Sequence, residues 1–285
     1  MPDPSSLAAP VAGLRPVALI TGASSGIGAA ATRVFAEAGY DLAISARRAD
    51  RLEALALELR GRHTQARIEA IVCDVTFEAS VASMFERVKE RFGRLDVLVN
   101  NAGFGGYGSV AEMSVDSFRA VMETNYFGVL LCTKAALPLL RATATIEQNR
   151  RNRWGATIVM VSSCVGRRSF PGATAYCASK FAVEGLSEGL RTELHDERIA
   201  VSVVNPGLTR TEFFDSARGI RPSHFLAPET SGMSSEDVAR VILRAARRPR
   251  RNWYLTWAGK MGIFAQWLAP TLVDRVLVGT WRKSK

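Results

Sequence analysis

The chain has 285 residues, 47% of them hydrophobic and 22% charged, with a formal net charge of +10. This length suits one large α/β domain. The absence of any run of 18 or more apolar residues argues against a membrane-spanning helix, and the opening Met1-Pro2-Asp3-Pro4 lacks the basic start and apolar core of a secretory signal. The four cysteines (Cys73, Cys132, Cys164, Cys177) lack metal-ligand spacing, so no metal site is expected, and the simple reading is a reduced, cytoplasmic protein. Charge is uneven: residues 240–285 hold eleven Lys and Arg against one acid, Asp274, and so carry the whole net charge.

Residues 1–15 read as a Pro-containing, poorly ordered lead. Val17 to Ile20 is a short apolar run that predicts a buried strand. Gly22-Ala23-Ser24-Ser25-Gly26-Ile27-Gly28 follows, then a helix over Ala29–Ala38. A strand, a glycine-rich turn and a helix make a phosphate cradle, because backbone N–H groups and the helix N-terminus face the anion. Gly22 permits the turn, Gly26 lets a pyrophosphate approach the backbone, and Gly28 lets the helix pack closely. By itself such a loop is also compatible with a plain tight turn; the strand–helix context favours a dinucleotide.

Asp41 to Ser45 predicts the second strand. An NAD site usually carries an acid near that strand's end to hold the ribose 2′-hydroxyl. Here the place reads Ser45-Ala46-Arg47-Arg48. A guanidinium suits a 2′-phosphate, so NADP(H) is expected over NAD(H). Arg47 is taken as the direct contact, with Arg48 beside it and Ser24 adding a hydroxyl. The alternative is that both arginines only open the solvated helix 49–60.

Ile68 to Cys73 is a third strand running into Asp74-Val75, Glu78 to Phe92 a helix closed by Gly93, and Asp96 to Asn100 a fourth strand followed by Asn101-Ala102-Gly103. Alternating strands and helices predict a parallel, doubly wound sheet with its ligand at the strand C-terminal ends. Residues 104–113 form a Gly- and Ser-rich loop. Val115 to Leu140 reads as one long helix, in which Asn125 stands among apolar neighbours and either caps a kink or serves the site. Residues 141–154 read as a basic surface extension of that helix; without interleaved aromatics a nucleic-acid patch is not expected.

Thr157 to Val161 is the fifth strand, ending in Ser162-Ser163. The helix of Tyr176-Cys177-Ala178-Ser179-Lys180 follows, running to about Glu197. Tyr and Lys four apart share one helix face. A free phenol titrates near ~10, and a nearby ammonium favours its ionised form, so the pair is suited to proton transfer. Ala178, Ala182, Gly185 and Gly189 form a small-residue face, fit either for self-association or for packing within the chain. Ile199 to Val204 is the sixth strand, followed by Asn205-Pro206-Gly207 and Thr211. Residues 212–233, with Phe213, Phe214, Phe225 and Leu226, suit a substrate lid. A capped helix opens at Ser234, and Trp253 to Leu255 reads as an edge strand.

Taken together, these motifs resemble the short-chain dehydrogenase/reductase family across residues 16–245: Thr21-Gly22-x-x-x-Gly26-Ile27-Gly28, Asp74, Asn100-Asn101-Ala102-Gly103, Asn125, Ser163, Tyr176-x-x-x-Lys180 and Pro206-Gly207. The resemblance implies a Rossmann-like sheet over residues 16–255 and an NADP(H)-dependent exchange of a carbonyl and a secondary alcohol. It implies that Tyr176 passes the proton, Lys180 lowers its pKa and holds the nicotinamide ribose, and Ser163, rather than Ser162, bonds the substrate oxygen. Asn125 would anchor a water next to Lys180. Asp74 and Val75 would meet the adenine, Asn101 the adenosine, and Pro206, Gly207 and Thr211 the nicotinamide; Ser25, Ile27, Ala102 and Gly103 complete the set. A homodimer or homotetramer is implied as well. A non-catalytic, NADP-binding regulatory protein is the competing reading.

Residues 256–285 stand outside this pattern. They are apolar and aromatic, with Trp257, Trp267 and Trp281 among flanking Lys and Arg. They suit an amphipathic segment at a membrane surface, or else a cover over the substrate pocket or a contact with a second subunit.

Overall fold

The computed structural model describes residues 15–146, 153–213, 217–219 and 232–284. Its strands are β1 (Val17–Thr21), β2 (Asp41–Ala46), β3 (Ile68–Val72), β4 (Val97–Asn100), β5 (Gly106–Tyr107), β6 (Ala156–Val161), β7 (Ile199–Asn205), β8 (Arg218–Gly219) and β9 (Asn252–Tyr254). Seven of them form one sheet in the order β3-β2-β1-β4-β6-β7-β9, and every pairing in it is parallel. The helices are α1 (Gly26–Glu37), α2 (Ala49–Arg62), α3 (Glu78–Phe92), α4 (Val115–Met122), α5 (Gly128–Ala144), α6 (Thr174–Glu193), α7 (Ser235–Arg247), α8 (Trp257–Leu268) and α9 (Pro270–Ser284). The chain is therefore the doubly wound, Rossmann-like sheet that the alternating pattern predicts.

The central strands are mostly apolar because both faces are covered: β1, β2, β6 and β7 are buried at every position. One core joins Leu19, Leu98 and Met160 to Met84, Leu140 and Leu190 of α3, α5 and α6. The other joins Ile20, Ile44 and Val99 to Phe35, Leu52 and Ile242 of α1, α2 and α7. Strand order reverses between β1 and β4, and that switch point opens a crevice at the strands' carboxyl ends. Local signals hold at the element ends. Gly93 closes α3 at φ 68°. Ser234 caps α7 by accepting from the Asp237 amide at 3.0 Å.

The long helix departs from the expectation. Residues 115–144 are broken by a π-helical turn at Glu123–Phe127. The stretch is long and apolar enough to cross a membrane by composition, yet Val121, Asn125, Cys132, Ala136 and Leu140 lie buried in the protein. The basic extension begins as expected, with Arg141 on the surface bonding Glu197 at 2.6 and 2.8 Å; residues 147–152 lie outside the described residues, as do the lead 1–14 and Phe214, Phe225 and Leu226 of the 212–233 loop. Of that loop, Phe213 and β8 are described, and β8 pairs with β5.

Candidate active site

The glycine turn sits at the end of β1. Gly22 adopts φ 67°, a left-handed conformation that a side chain disfavours. At Gly28 an added Cβ would lie 2.1 Å from the Gly22 carbonyl oxygen and 2.6 Å from Asn101 Nδ2, so only glycine lets α1 start this close to the turn. The neighbouring strand holds the turn in place. Thr21 Oγ1 accepts from the amides of Asn101 and Ala102 at 3.0 and 3.1 Å. Asn101 Nδ2 donates to the carbonyls of Thr21 and Gly22 at 2.9 and 3.3 Å. Asn101 thus braces the cradle with its side chain. Thr211 leans over Gly26, whose added Cβ would stand 3.1 Å from Thr211 Cγ2.

Both arginines after β2 reach this region, with different partners. Arg48 turns back onto the glycine turn and donates to Ser24 Oγ at 3.1 and 3.2 Å and to Ser25 Oγ at 2.6 Å. Its other amino group lies 3.4 Å from Glu212, which also pairs with Arg51 at 2.5 Å. Arg47 is more exposed and lies 3.9 Å from Asp74. The geometry therefore gives Arg48, more than Arg47, the contact with the turn: the chain leaves β2 with Arg48 at the N-cap of α2, facing the loop. Asp74 accepts from Thr76 at 2.8 and 3.0 Å and shapes the turn into α3. Val75 packs under Gly128, whose added Cβ would meet it at 2.7 Å.

Beyond the end of β6 stand Ser163, Tyr176 and Lys180. Ser163 stands beside the Tyr176 phenol, its hydroxyl favouring the ionised form of that phenol, and Ser162 instead faces Glu184. Lys180 Nζ lies 5.7 Å from the centroid of the Tyr176 ring and donates to the Val161 carbonyl at 2.9 Å. Burial pushes Lys180 down to about 8 and pushes the phenol up, with the neighbouring Ser163 hydroxyl pulling the other way. Desolvation disfavours both charged forms and is the largest influence on each.

Asn125 occupies the π-turn, fully buried. Its Oδ1 accepts from the Phe104 amide at 3.0 Å, and its Nδ2 donates to the Phe104 carbonyl at 2.9 Å and Ser179 Oγ at 3.0 Å. Ser179 in turn donates to the Tyr176 carbonyl at 2.7 Å. The side chain both occupies a break in the helix and ties that break to the turn carrying Tyr176 and Lys180.

Sequence reasoning did not single out Glu184 and Arg167. Glu184 is 3% exposed, and Arg167 pairs with it at 2.8 Å. The Asn205 carboxamide, oriented with its nitrogen toward both acceptors, donates to Glu184 Oε1 at 2.7 Å and to the Ser163 carbonyl at 2.9 Å. A carboxylate one helical turn past Lys180 on the same face was the available signal. Tyr107 was missed as well. It is buried beside Tyr176, with ring centroids 6.4 Å apart, and Phe213 stands 5.3 Å from Tyr176 in an edge arrangement.

One cavity of about 660 Å³ runs from Ser25, Gly26, Ile27 and Gly28, past Ala102, Gly103, Pro206 and Gly207, to Ser163, Tyr176 and Lys180, with Tyr107 and Phe213 also in its lining. Its far wall is the chain's C-terminal region, through Gly259, Ile263, Val273 and Leu277. An added Cβ at Gly259 would meet Cys164 Sγ at 2.5 Å, so α8 rests directly on the loop after Ser163. Arg168 ties both last helices to that loop, bonding Gln266 at 2.7 Å and Asp274 at 2.6 Å. Of the readings open for residues 256–285, a cover over the pocket is what the inner face provides.

A doubly wound sheet with a glycine cradle at its switch point and a Ser–Tyr–Lys set facing the same cavity defines a dinucleotide-dependent oxidoreductase class. The short chain dehydrogenase profile matches residues 16–219, and the chain belongs to the short-chain dehydrogenase/reductase family, oxidoreductases acting on alcohol and carbonyl groups. It is 32% identical over 277 residues to dehydrogenase/reductase SDR family member 7B of Mus musculus, covering 94% of this chain and 82% of that one. It is 35% identical to farnesol dehydrogenase of Aedes aegypti (82% and 91% covered) and 36% identical to sulfoacetaldehyde reductase 2 of Chromohalobacter salexigens (82% and 89%). Among solved structures, a Burkholderia phymatum member in complex with NAD superposes with a TM-score of 0.78 at 26% identity, covering 91% and 95%. A Sphingobium yanoikuyae member in complex with NADPH superposes at 0.73 with 29% identity, covering 93% and 95%.

Proposed function

We propose that this chain is an NADP(H)-dependent reductase or dehydrogenase that interconverts a carbonyl and a secondary alcohol on a lipophilic small molecule. The observation that carries the reading is that Ser163, Tyr176 and buried Lys180 share the wall of a cavity continuous with the glycine cradle. The cradle fits a dinucleotide, because glycine at position 28 lets the N-terminus of α1 close on the Gly22 turn, where a side chain would collide with the Gly22 carbonyl and Asn101, and a helix N-terminus brought that close to a glycine turn suits a phosphate. Gly22, Ser25, Gly26, Ile27 and Gly28 would hold the pyrophosphate, and Asp74, Val75 and Asn101 the adenosine side. Ala102, Gly103, Lys180, Pro206, Gly207 and Thr211 would hold the nicotinamide side. Arg48, with Ser24 and Arg47, supports the preference for a 2′-phosphate.

When bound, the nicotinamide supplies the hydride. The Ser163 hydroxyl orients the substrate oxygen, and the Tyr176 phenol gives that oxygen its proton on reduction or takes one on oxidation. A phenol kept neutral by burial is in the right form to donate. Lys180, anchored on the Val161 carbonyl, stands over the Tyr176 ring. Asn125 holds the Ser179 turn between Tyr176 and Lys180 and, at the free lone pair of its Oδ1, offers a place for a water leading toward Lys180.

The lipophilic part of the reading rests on the lining. Tyr107, Phe213, Val165, Phe170, Ile263 and Leu277 surround the space beyond Tyr176. Residues 16–255 form the catalytic unit in this reading, with 256–285 completing its pocket. The four free cysteines agree with a cytoplasmic, reduced setting. Self-association as a dimer or tetramer is supported by the small face of α6, where added Cβ atoms at Gly185 would meet nothing and Phe181 is exposed.

The test is consumption of NADPH, followed by absorbance, with ketones and aldehydes of increasing hydrophobicity. Turnover should rise with hydrophobicity, fall with NADH and vanish in Tyr176→Phe while NADPH binding persists. Tight NADPH binding without turnover across the panel would overturn the catalytic reading.

A further inference from the structure

The last two helices have two apolar faces, and the pocket uses only one. Inward lie Gly259, Ile263, Val273 and Leu277. Outward, Trp257, Met261, Phe264 and Leu268 recur at helical spacing along α8, with Trp267 beside them and Leu272 and Val276 continuing on α9. Trp257 and Trp267 are 75% and 78% exposed. Of sixteen exposed large apolar side chains among the described residues, eight fall within residues 257–278. That concentration is a contiguous surface, unlike the single exposed apolar residues that any protein carries.

The charges around this surface are of one sign. Lys260, Arg275 and Arg282 are exposed on the same two helices. The one acid of this region, Asp274, is held by Arg168 at 2.6 Å. A second copy docked through this face by a two-fold axis would set the patch against itself. Its three cations would then meet their own counterparts without carboxylates to pair them, which is unfavourable at an interface. A surface that is apolar at its centre and anionic at its edge complements both features at once.

We propose that the outer face of α8 and α9 seats the protein on an anionic lipid bilayer. With 12 and 15 residues, each helix falls short of the ~20 needed to span one, so they lie in the interfacial plane. The exposed tryptophans enter the headgroup boundary and the Lys and Arg side chains meet anionic headgroups. Since the inner face of the same helices roofs the cavity, a docked chain would take a lipophilic substrate directly from the bilayer. That last step alone rests on the function proposed above; the docking does not.

Flotation of the full chain with phosphatidylcholine vesicles containing about 30 mol % phosphatidylserine tests the docking without reference to activity. Partitioning should exceed that on pure phosphatidylcholine, weaken with added salt, and drop at least about tenfold in Phe264→Glu/Trp267→Glu and, on the anionic vesicles, in Lys260→Glu/Arg275→Glu. These side chains are exposed, and unchanged thermal unfolding of each variant verifies the fold. Wild-type protein that stays with the unbound fraction on anionic vesicles overturns the proposal, as does binding unaltered in the Phe264→Glu/Trp267→Glu variant. Sedimentation supplies a further arm: self-association abolished by that variant, without vesicle binding, would assign the face to a second copy of the chain.

Discussion

Replacing Arg48 separates the two arginines that follow β2. In Arg48→Ala the glycine turn loses the guanidinium that bonds Ser24 and Ser25, and a bound 2′-phosphate loses its cation. A hydrogen bond to a charged group contributes about 1.5–3 kcal/mol. The Arg48 side chain is 40% exposed, so solvent screening places it at the low end, about 1.5–2 kcal/mol. That corresponds to roughly 10–30-fold weaker NADPH binding. Arg47, 66% exposed and 3.9 Å from Asp74, its only ion-pair partner among the described residues, belongs with surface pairs worth under about 1 kcal/mol, or roughly fivefold at most. Cofactor titrations by calorimetry, with NADPH and NADH on each variant, measure both effects. NADH affinity should stay near wild type in Arg48→Ala, since NADH carries no 2′-phosphate. A larger loss in Arg47→Ala than in Arg48→Ala, or equal losses for NADPH and NADH, would refute the assignment.

Further expectations concern the cradle, the proton path and the pH response. Gly28→Ala places a methyl 2.1 Å from a backbone oxygen, which no side-chain rotation relieves; overpacking of this kind costs about 1–3 kcal/mol. Thermal unfolding should fall and dinucleotide binding, read by fluorescence, should be lost. Ser163→Ala should lower kcat by roughly 100-fold or more while leaving NADPH affinity close to wild type, because the hydroxyl acts on the substrate oxygen and the phenol; stopped-flow turnover and cofactor titration separate the two. Lys180 makes a stability prediction. Its pKa falls from 10.5 to about 8 in the folded chain, so between those values the unfolded state binds more protons and stability rises with pH. Below about pH 8 the buried ammonium exerts its full destabilisation, up to about 3 kcal/mol. Lys180→Met, which loses the bond to Val161, should therefore unfold at higher denaturant than wild type at pH 7, with the advantage shrinking toward pH 10.5. An advantage that grows with pH would contradict a depressed pKa.

The sequence by itself determined a great deal here, and for local reasons. Strand positions followed from short β-branched runs, and the glycine cradle from turn and close-approach requirements that glycine meets at positions 22, 26 and 28. The Tyr176–Lys180 pair followed from helical spacing. These features depend on neighbours along the chain, so their residue order is enough to expose them. Tertiary structure decided what depends on approach from distant segments. It set Arg48 rather than Arg47 on the turn, because the N-cap of α2 faces residues 24 and 25 from twenty-odd positions away. It placed Asn125 in a π-turn, where three hydrogen bonds to Phe104 and Ser179 satisfy an otherwise costly buried amide. It joined Glu184, Asn205 and the Ser163 carbonyl across three elements. And it gave the aromatic C-terminal region two faces, one roofing the pocket and one left to solvent. Composition counts the apolar residues of that region, but only the packing of α8 and α9 on Cys164 and Arg168 divides them between inside and outside.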